Sequence, residues 1–172
     1  MKKTVEETIE NLTIYDPMTI FEDDIPESPG IYFWFNRRLW VSEKKIKMEY
    51  IGKAVSSKGL KGRIIREHLR PDFLQPISKP LSKEDRFQRE NPIFVKGKGY
   101  CTDRSSLRRS IGEIEKKKAD QTVTFIKENF LLKIMPFPKS VESERERMKS
   151  RIQKKESEYI RYYHPTTYNK KA

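Results

Sequence analysis

Two glycine-tyrosine motifs hold the side chains best suited to chemistry in this sequence. The motif GIY covers residues 30–32 and the motif YIG covers residues 50–52, each in a β-forming run. If the two runs pair as a hairpin, the hydroxyls of Tyr32 and Tyr50 come to one end of a sheet, and the glycines let the backbone of a ligand approach. A phenol there could position or deprotonate a water molecule. The alternative is that both tyrosines are ordinary half-buried packing residues.

Arg63 is the next candidate, in the run GLKGRIIREHL shortly after YIG. Its guanidinium is always charged and forks onto two phosphate oxygens, so it could neutralise a phosphodiester. Lys53, directly after YIG, would add a second positive charge nearby. The alternative for Arg63 is a place on the solvated face of a helix.

A carboxylate lies in an unexpected position near the C-terminal end. The predicted last helix has apolar residues at spacings of four, four, four and three, and Glu156 is in phase with them: Met148, Ile152, Glu156, Ile160 and Tyr163. Because an ionised carboxylate that faces a core is costly unless it pairs with a cation or binds a metal, Glu156 is a candidate metal ligand. A buried salt bridge, for example to Arg63, is the alternative.

Apolar patterns predict the elements that must position these residues. The runs IYFWF, LWV and MEYIG predict two or three antiparallel strands, with a turn over residues 36–38 before LWV, and a further strand is predicted at LLKIMPF. Helical spacing predicts helices over residues 4–12, over 59–70, from a cap at Thr102 or Asp103, over 120–129 and over 141–163. The proline-containing stretch between these elements, from Pro71 to Cys101, is predicted to be irregular.

Charge and composition indicate a polyanionic partner. The 172 residues carry a net charge of +12, and the first 28 hold two basic and eight acidic side chains, a balance of −6, which leaves +18 on the rest. Such a charge suits the phosphates of a nucleic acid, or an anionic membrane. No run of about 18 apolar residues occurs, so we expect one soluble, cytoplasmic domain. One cysteine, Cys101, and two histidines exclude an internal disulfide, a multi-cysteine zinc site and a histidine zinc cage.

The order of these motifs resembles that of the GIY-YIG nuclease superfamily. GIY, YIG and a helical Arg63 precede a last helix whose residues match the family's order: Glu156, Ile160, Pro165 and Asn169. The resemblance covers residues 30–169, and the segments YIGKA and REHL are most similar to the restriction-endonuclease branch. It implies an α+β fold with a small three-stranded antiparallel sheet flanked by helices, in which LLKIMPF is the third strand. Residues 1–29 would then be an acidic lead-in packed on a nuclease domain over residues 30–172.

One position departs from the family pattern. The family often has a histidine four residues after the helical arginine, but Glu67 is at that position here and His68 follows it. On an ideal α-helix, His68 would point about 140° away from Arg63. His68 is therefore a candidate catalytic residue, with an exposed or capping histidine near the helix end as the alternative.

The resemblance implies an endodeoxyribonuclease that uses one Mg²⁺ or Mn²⁺ ion per active site. The implied roles are water activation by Tyr50 or Tyr32 with Lys53, phosphate neutralisation by Arg63, metal binding by Glu156 and orientation of the site by Asn169. Residues 71–109 would be an insertion that contacts DNA phosphates through its basic side chains: Lys96, Lys98, Arg104, Arg108 and Arg109.

A sequence-specific restriction endonuclease that acts on double-stranded DNA is the function that the resemblance favours. We expect a homodimer on a two-fold target, and a restriction role would pair with a cognate DNA methyltransferase. The alternatives are a structure-specific repair or mobile-element nuclease, a nuclease of RNA, and a catalytically silent nucleic-acid-binding module.

Overall fold

A computed structural model describes residues 4–77, 85–165 and 167–169 and shows an α+β fold. The described strands are β1 (Ile14–Tyr15), β2 (Gly30–Asn36), β3 (Met48–Ala54), β4 (Leu74–Pro76), β5 (Ile93–Val95), β6 (Gly99–Asp103) and β7 (Phe130–Pro136). The described α-helices are α1 (Val5–Glu10), α2 (Arg37–Glu43), α3 (Gly59–Lys61), α4 (Arg86–Glu90), α5 (Ser106–Glu115), α6 (Asp120–Asn129) and α7 (Arg145–Tyr163). A π-helix (Gly62–His68) continues α3, and short 3₁₀ helices lie at Glu22–Asp24 and Glu142–Glu144.

The main sheet is antiparallel and has the strand order β1-β7-β2-β3. Its strand β2 is a continuous apolar run because both of its faces are covered. Tyr32 and Trp34 pack on the face that carries the π-helix and α5, whereas Ile31, Phe33 and Phe35 pack on the face covered by α7. The strands predicted at IYFWF, MEYIG and LLKIMPF are confirmed.

The main sheet has four strands instead of the predicted three, because the lead-in contributes β1. This strand pairs with Leu132 and Lys133 of β7. Lys133 is buried, and its ammonium group donates to the carbonyl oxygens of Ile9 and Glu10 at 3.0 Å each. These carbonyls lie at the C-terminal end of α1, where a cation satisfies oxygens that have no partner within the helix. The lead-in is therefore fastened to β7.

The LWV run, predicted as a strand, lies in α2. The side-chain oxygen of Asn36 accepts the N–H of Leu39 at 3.0 Å and so caps the helix. Lys44 ends the helix in the left-handed conformation. Arg37 donates to both carboxylate oxygens of Asp16, at 2.8 and 2.6 Å, which ties the helix to the lead-in. The strand prediction was wrong because capping and an ion pair outweigh the weak preference of a three-residue apolar run.

The stretch from Pro71 to Cys101 was predicted to be irregular, and this prediction is wrong for its described part, which contains strands and a helix. Residues 78–84 lie outside the described residues. Strands β4, β6 and β5 form a second antiparallel sheet in that order, with α4 beside it. The turn between β5 and β6 requires positive φ at Gly97 and Gly99. The strand pattern was missed because these strands have only three to five residues.

Most helical predictions are confirmed, including α6 with its predicted bounds and α7 within the predicted last helix. The helix α5 begins later than predicted, because its cap is Ser105 and not Thr102 or Asp103. Ser105 Oγ accepts the N–H of Arg108 at 3.3 Å. Within the described ranges, no helix combines the length and the apolar character needed to cross a membrane.

Candidate active site

Tyr32 and Tyr50 lie on neighbouring strands and face the same side of the main sheet. The pairing of β2 with β3 sets Tyr32 opposite Gly52 and Trp34 opposite Tyr50. The two phenol rings are therefore diagonal neighbours, with centroids 6.2 Å apart and planes 25° apart. Both side chains are buried, since 2% of Tyr32 and 8% of Tyr50 is exposed. The sheet thus places two phenols side by side next to the π-helix.

A π-helix brings His68 to Tyr32. Its backbone hydrogen bonds join residues five apart, as between the N–H of Leu69 and the carbonyl oxygen of Ile64 at 3.0 Å. Residues five apart therefore lie about one turn apart. His68 faces the core and is fully buried, with Nε2 2.8 Å from Oη of Tyr32. The exposed or capping position that α-helix geometry suggested for His68 is wrong.

Two serines at the start of α5 complete the contacts of this cluster. Ser105 Oγ lies 2.6 Å from Nδ1 of His68, and Ser106 Oγ lies 2.9 Å from Oη of Tyr50. Sequence reasoning missed both residues. The available signal was a serine pair before a helical apolar pattern, which is typical of a helix N-cap. That signal predicts a cap but cannot show that the hydroxyls also contact His68 and Tyr50.

Burial keeps the cluster uncharged at neutral pH. It lowers the pKa of His68 well below its usual range, and the positive charges of Arg63 and Arg108 act in the same direction. Burial also raises the pKa of Tyr32 well above its usual range, assisted by Tyr50 and opposed by Arg63. Burial is likewise the largest cause of the raised pKa of Tyr50. The imidazole is therefore neutral, and both phenols carry their protons.

The neutral state of His68 predicts a loss of stability in acid. Its pKa is lowered by folding, so the unfolded chain, with a histidine pKa of about 6.5, binds the proton more tightly. The contribution of His68 is complete above about pH 6.5 and is lost as the pH falls below it, by at most about 1.4 kcal/mol per pH unit. Denaturant unfolding from about pH 7.5 to 5 should show a flatter pH dependence for His68→Gln than for the wild type. Parallel curves would contradict the buried, neutral histidine.

The absence of a side chain at Gly52 makes room for the hydroxyl of Tyr32. A Cβ atom built on Gly52 would lie 2.3 Å from Oη and 2.5 Å from Cζ of Tyr32. We expect Gly52→Ala to displace the Tyr32 ring and to lower the free energy of unfolding by about 1–3 kcal/mol. In a Tyr32→Phe background the same substitution should cost less, because the nearest atom is gone. Thermal unfolding of the four proteins measures this, and equal costs in both backgrounds would rule out the contact.

Two ion pairs carry charges that act on the tyrosines, and the pair of Lys53 with Glu156 lies on the side of the main sheet that α7 covers. Lys53 on β3 donates to Oε2 of Glu156 on α7 at 2.5 Å, and these side chains are 27% and 12% exposed. Arg63 pairs with Glu67 within the π-helix and is 37% exposed. The charges of Arg63 and Glu156 both act on the two phenols, Arg63 lowering and Glu156 raising their pKa values. Glu156 does form a salt bridge, but its partner is Lys53 and not Arg63.

Asn169 holds the backbone of the YIG motif. Its side-chain amide donates to the carbonyl oxygen of Ile51, and its side-chain oxygen accepts the N–H of Ile51, both at 2.8 Å. These two bonds extend the main sheet beyond its edge strand β3 at the residue between Tyr50 and Gly52. Asn169 is therefore a positioning residue that fixes the strand from which Tyr50 projects.

Three of the basic residues predicted to contact DNA are exposed. Lys96 and Lys98 lie at the turn between β5 and β6, and Arg104 follows β6. The side chain of Arg109 is partly buried and donates to the carbonyl oxygen of Arg104 at 3.0 Å. These exposed positive charges lie on the second sheet and on its connection to α5, in a part of the sequence separate from the acidic lead-in.

Arg108 is buried and cannot reach a phosphate, so its predicted DNA contact is wrong. Its guanidinium pairs with Asp103, and both side chains are fully buried. It also donates to the hydroxyl of Thr122 at 3.0 Å and to backbone carbonyl oxygens of Glu67, Arg70 and Pro71. Arg108 therefore fastens α5 to the end of the π-helix and to β6.

Glu156 is the carboxylate that would hold a divalent metal ion at this cluster. In the part of the chain that the structure describes, no group of three or more His, Cys, Asp or Glu side chains could hold a metal. Mg²⁺, however, usually keeps several waters and binds one or two carboxylates together with substrate phosphates. The ammonium group of Lys53 donates a hydrogen bond to Oε2 of Glu156, so Oε1 is the carboxylate oxygen that could bind an ion. This single carboxylate could hold such an ion only together with ligands from a bound phosphate.

The cluster combines three chemical capacities. The Tyr32–His68 hydrogen bond joins a proton donor to a proton acceptor, the guanidinium of Arg63 can bind an anion, and the carboxylate of Glu156 can bind a cation. Such a set is suited to hydrolysis of a phosphate ester. Comparison of the chain with models of protein families, with curated proteins and with solved structures gave no match.

Proposed function

We propose that this protein is an endonuclease that hydrolyses phosphodiester bonds of double-stranded DNA with one Mg²⁺ or Mn²⁺ ion per active site. The observation that carries the proposal is the buried hydrogen bond between Tyr32 and His68, on which the charges of Arg63 and Glu156 act. A buried phenol that is hydrogen-bonded to a neutral imidazole has a proton acceptor in place. A phenol that acts as a general base needs such an acceptor for its own proton. The resemblance to GIY-YIG nucleases favours the same function, with β2, β3 and β7 as the family's three strands and β1 as an addition.

The Tyr32–His68 pair acts as the general base in this proposal. In the tautomer with a proton on Nδ1, His68 donates to Ser105 Oγ and accepts the Tyr32 hydroxyl at Nε2. A water molecule gives a proton to Oη of Tyr32 while Oη passes its own proton to Nε2. The resulting hydroxide attacks phosphorus, the bond from phosphorus to the leaving oxygen breaks, and that oxygen takes a proton from solvent. The negative charge of the bound phosphate favours the imidazolium, which burial and the charges of Arg63 and Arg108 disfavour.

The charged residues stabilise the phosphate during this reaction. Arg63 turns from Glu67 to the phosphate oxygens, for which its planar fork is suited. Lys53 adds positive charge on the strand that carries Tyr50. Glu156 would hold the divalent ion, which would stabilise the negative charge that develops on the leaving oxygen.

We further propose a sequence-specific restriction role, on the likeness of YIGKA and REHL to that branch of the superfamily. The second sheet supports this role, since it carries exposed basic side chains and its strand β6 leads to Ser105 at the site. A cytoplasmic homodimer would cut both strands of a two-fold target, and a cognate methyltransferase would protect host DNA.

Incubation of supercoiled plasmid with the protein, in Mg²⁺ and in EDTA, tests the proposal. Discrete linear fragments in Mg²⁺ and intact plasmid in EDTA are the expected result. A catalytically silent module would bind the plasmid without cutting it, and a nuclease of RNA would cut RNA alone. Nicked circles as the sole product of a protein that sediments as a monomer would contradict the dimeric restriction role.

A further inference from the structure

The hairpin formed by β5 and β6 carries two exposed aromatic rings. Phe94 and Tyr100 are cross-strand partners and are 68% and 62% exposed. Their ring centroids are 5.5 Å apart, and their planes meet at 70°. Ile93 pairs with Cys101, which is fully buried, on the opposite face of the hairpin. Because side chains alternate along a strand, one face of the hairpin packs against the protein, and the other face exposes the aromatic pair to solvent.

The turn of the hairpin adds positive charge next to the rings. Lys96 lies two residues after Phe94, Lys98 lies two residues before Tyr100, and both lysines are exposed. The hairpin sequence IFVKGKGY contains no acidic residue. A Cβ atom built on Gly97 would meet nothing within 4 Å, so the turn projects away from the described body of the protein. Two rings and two lysines thus form one exposed, basic tip.

We propose that this hairpin enters the major groove of duplex DNA and contacts base edges with Phe94 and Tyr100. The inference deepens the proposed nuclease function and rests on it. Two paired strands lie about 4.8 Å apart, so with their side chains they suit a groove about 12 Å wide but exceed the minor groove of about 6 Å. The rings offer apolar contact to thymine methyl groups, while Lys96 and Lys98 reach phosphates at the tip.

A short path along β6 connects the hairpin to the active site. The strand ends at Asp103, and Ser105, two residues further, contacts His68 at 2.6 Å. The buried pair of Asp103 with Arg108 fixes the end of this strand on α5. Ser105 is the seventh residue after Lys98, so the backbones of the two residues are at most about 25 Å apart.

A second copy of the chain is the other partner that this surface could suit, because β5 is an edge strand of the second sheet. Charge favours DNA over a second copy. The same tip in another copy carries the same two lysines, and the only acidic residue of the hairpin, Asp103, is buried with Arg108, whereas a phosphate backbone complements the lysines.

Selection of bound duplexes by the full chain in EDTA tests the proposal without cleavage. The probe is a pool of duplexes of about 40 base pairs with a randomised centre, from which the wild type should enrich one short motif. The double variant Phe94→Ser, Tyr100→Ser should bind the enriched duplex about tenfold or more weakly. Its affinity for unselected duplexes should stay within about twofold, because those contacts are made to phosphates. Phe21→Ser is the matched control, since Phe21 is 75% exposed on the acidic lead-in.

The lysines give a second measurement. The double variant Lys96→Ala, Lys98→Ala should flatten the slope of log affinity against log salt concentration by about two units. The variant Lys139→Ala, Lys154→Ala, which changes two exposed lysines elsewhere, should keep the wild-type slope.

Enrichment of the same motif at the same affinity after loss of both rings would overturn the proposal. It would also be overturned if sedimentation showed that the ring variant loses self-association while it keeps its affinity for the motif. Failure of the proposed nuclease function gives a different result. In that case the wild type enriches a motif in EDTA but does not cut it in Mg²⁺, and the role of the hairpin in DNA binding stands.

Discussion

Glu156→Gln is expected to abolish Mg²⁺-dependent cleavage and to leave DNA binding intact. The substitution keeps the shape of the side chain and removes the charge that would hold the metal. Because metal ions supply several kcal/mol of transition-state stabilisation, the rate should fall about 10³-fold or more. Affinity should not weaken, since loss of a negative charge beside a phosphate relieves repulsion. Single-turnover cleavage in Mg²⁺ and duplex affinity in EDTA measure the two effects.

Glu158→Gln, on the same helix, is the matched control for this variant. Glu158 is 46% exposed and pairs with Lys155 at 3.4 Å, so its substitution should leave the rate unchanged. If the pair of Glu156 with Lys53 were purely structural, Glu156→Gln would lower the melting temperature, and activity would fall only as the protein unfolds. Glutamine can still accept a hydrogen bond from Lys53, so we expect a cost below the roughly 3–5 kcal/mol of breaking a buried pair. A folded variant that cuts at nearly the wild-type rate would remove Glu156 from the mechanism.

Tyr32→Phe is expected to slow cleavage by about 10²–10⁴-fold, the usual contribution of a general base. The change removes the oxygen that would take a proton from water in the proposed mechanism, and it removes the donor to Nε2 of His68. It also leaves a buried ring nitrogen without its partner, which should cost about 1–3 kcal/mol of stability. Rates measured well below the melting temperatures of both proteins separate the chemical effect from the loss of stability.

Tyr50→Phe is the natural comparison, because the Tyr50 hydroxyl contacts Ser106 instead of an imidazole. A serine hydroxyl is a far weaker base, so this variant should lose less activity than Tyr32→Phe. Addition of His68→Gln to Tyr32→Phe should lower the rate little further, since the two residues act as one unit. If Tyr50→Phe abolishes cleavage and Tyr32→Phe does not, the base is Tyr50.

The main sheet and the last helix were predictable because their signals are long. The strand β2 is an uninterrupted apolar run, and α7 repeats its apolar spacing over several turns. The same spacing predicted that the carboxylate of Glu156 faces the core, and its side chain is only 12% exposed. A periodic pattern fixes which face of an element is buried, but it carries no information about the partner, so Lys53 was not identified as the residue opposite Glu156.

Short elements and buried charges were not predictable from the same signals. A run of three apolar residues such as LWV suits a strand or a helix equally. The N-cap hydrogen bond from Asn36 favours the helix α2. Lys96 and Arg108 look alike in a count of basic residues, yet one is exposed at a turn and the other is fully buried. The burial of Arg108 depends on carbonyl groups brought together by tertiary structure, which local sequence does not specify.

The π-helix changes the effect of adding or removing one residue between Arg63 and His68. A π turn holds one more residue than an α turn, so an α-helix with four steps from arginine to histidine and a π-helix with five present the same two side chains. Deletions within an active-site helix normally rotate every later residue to a different face. Here the helix ends just after His68, and few residues follow in phase. The interval from Arg63 to His68 is therefore a place where a gene could lose one codon and keep the histidine in contact with its tyrosine.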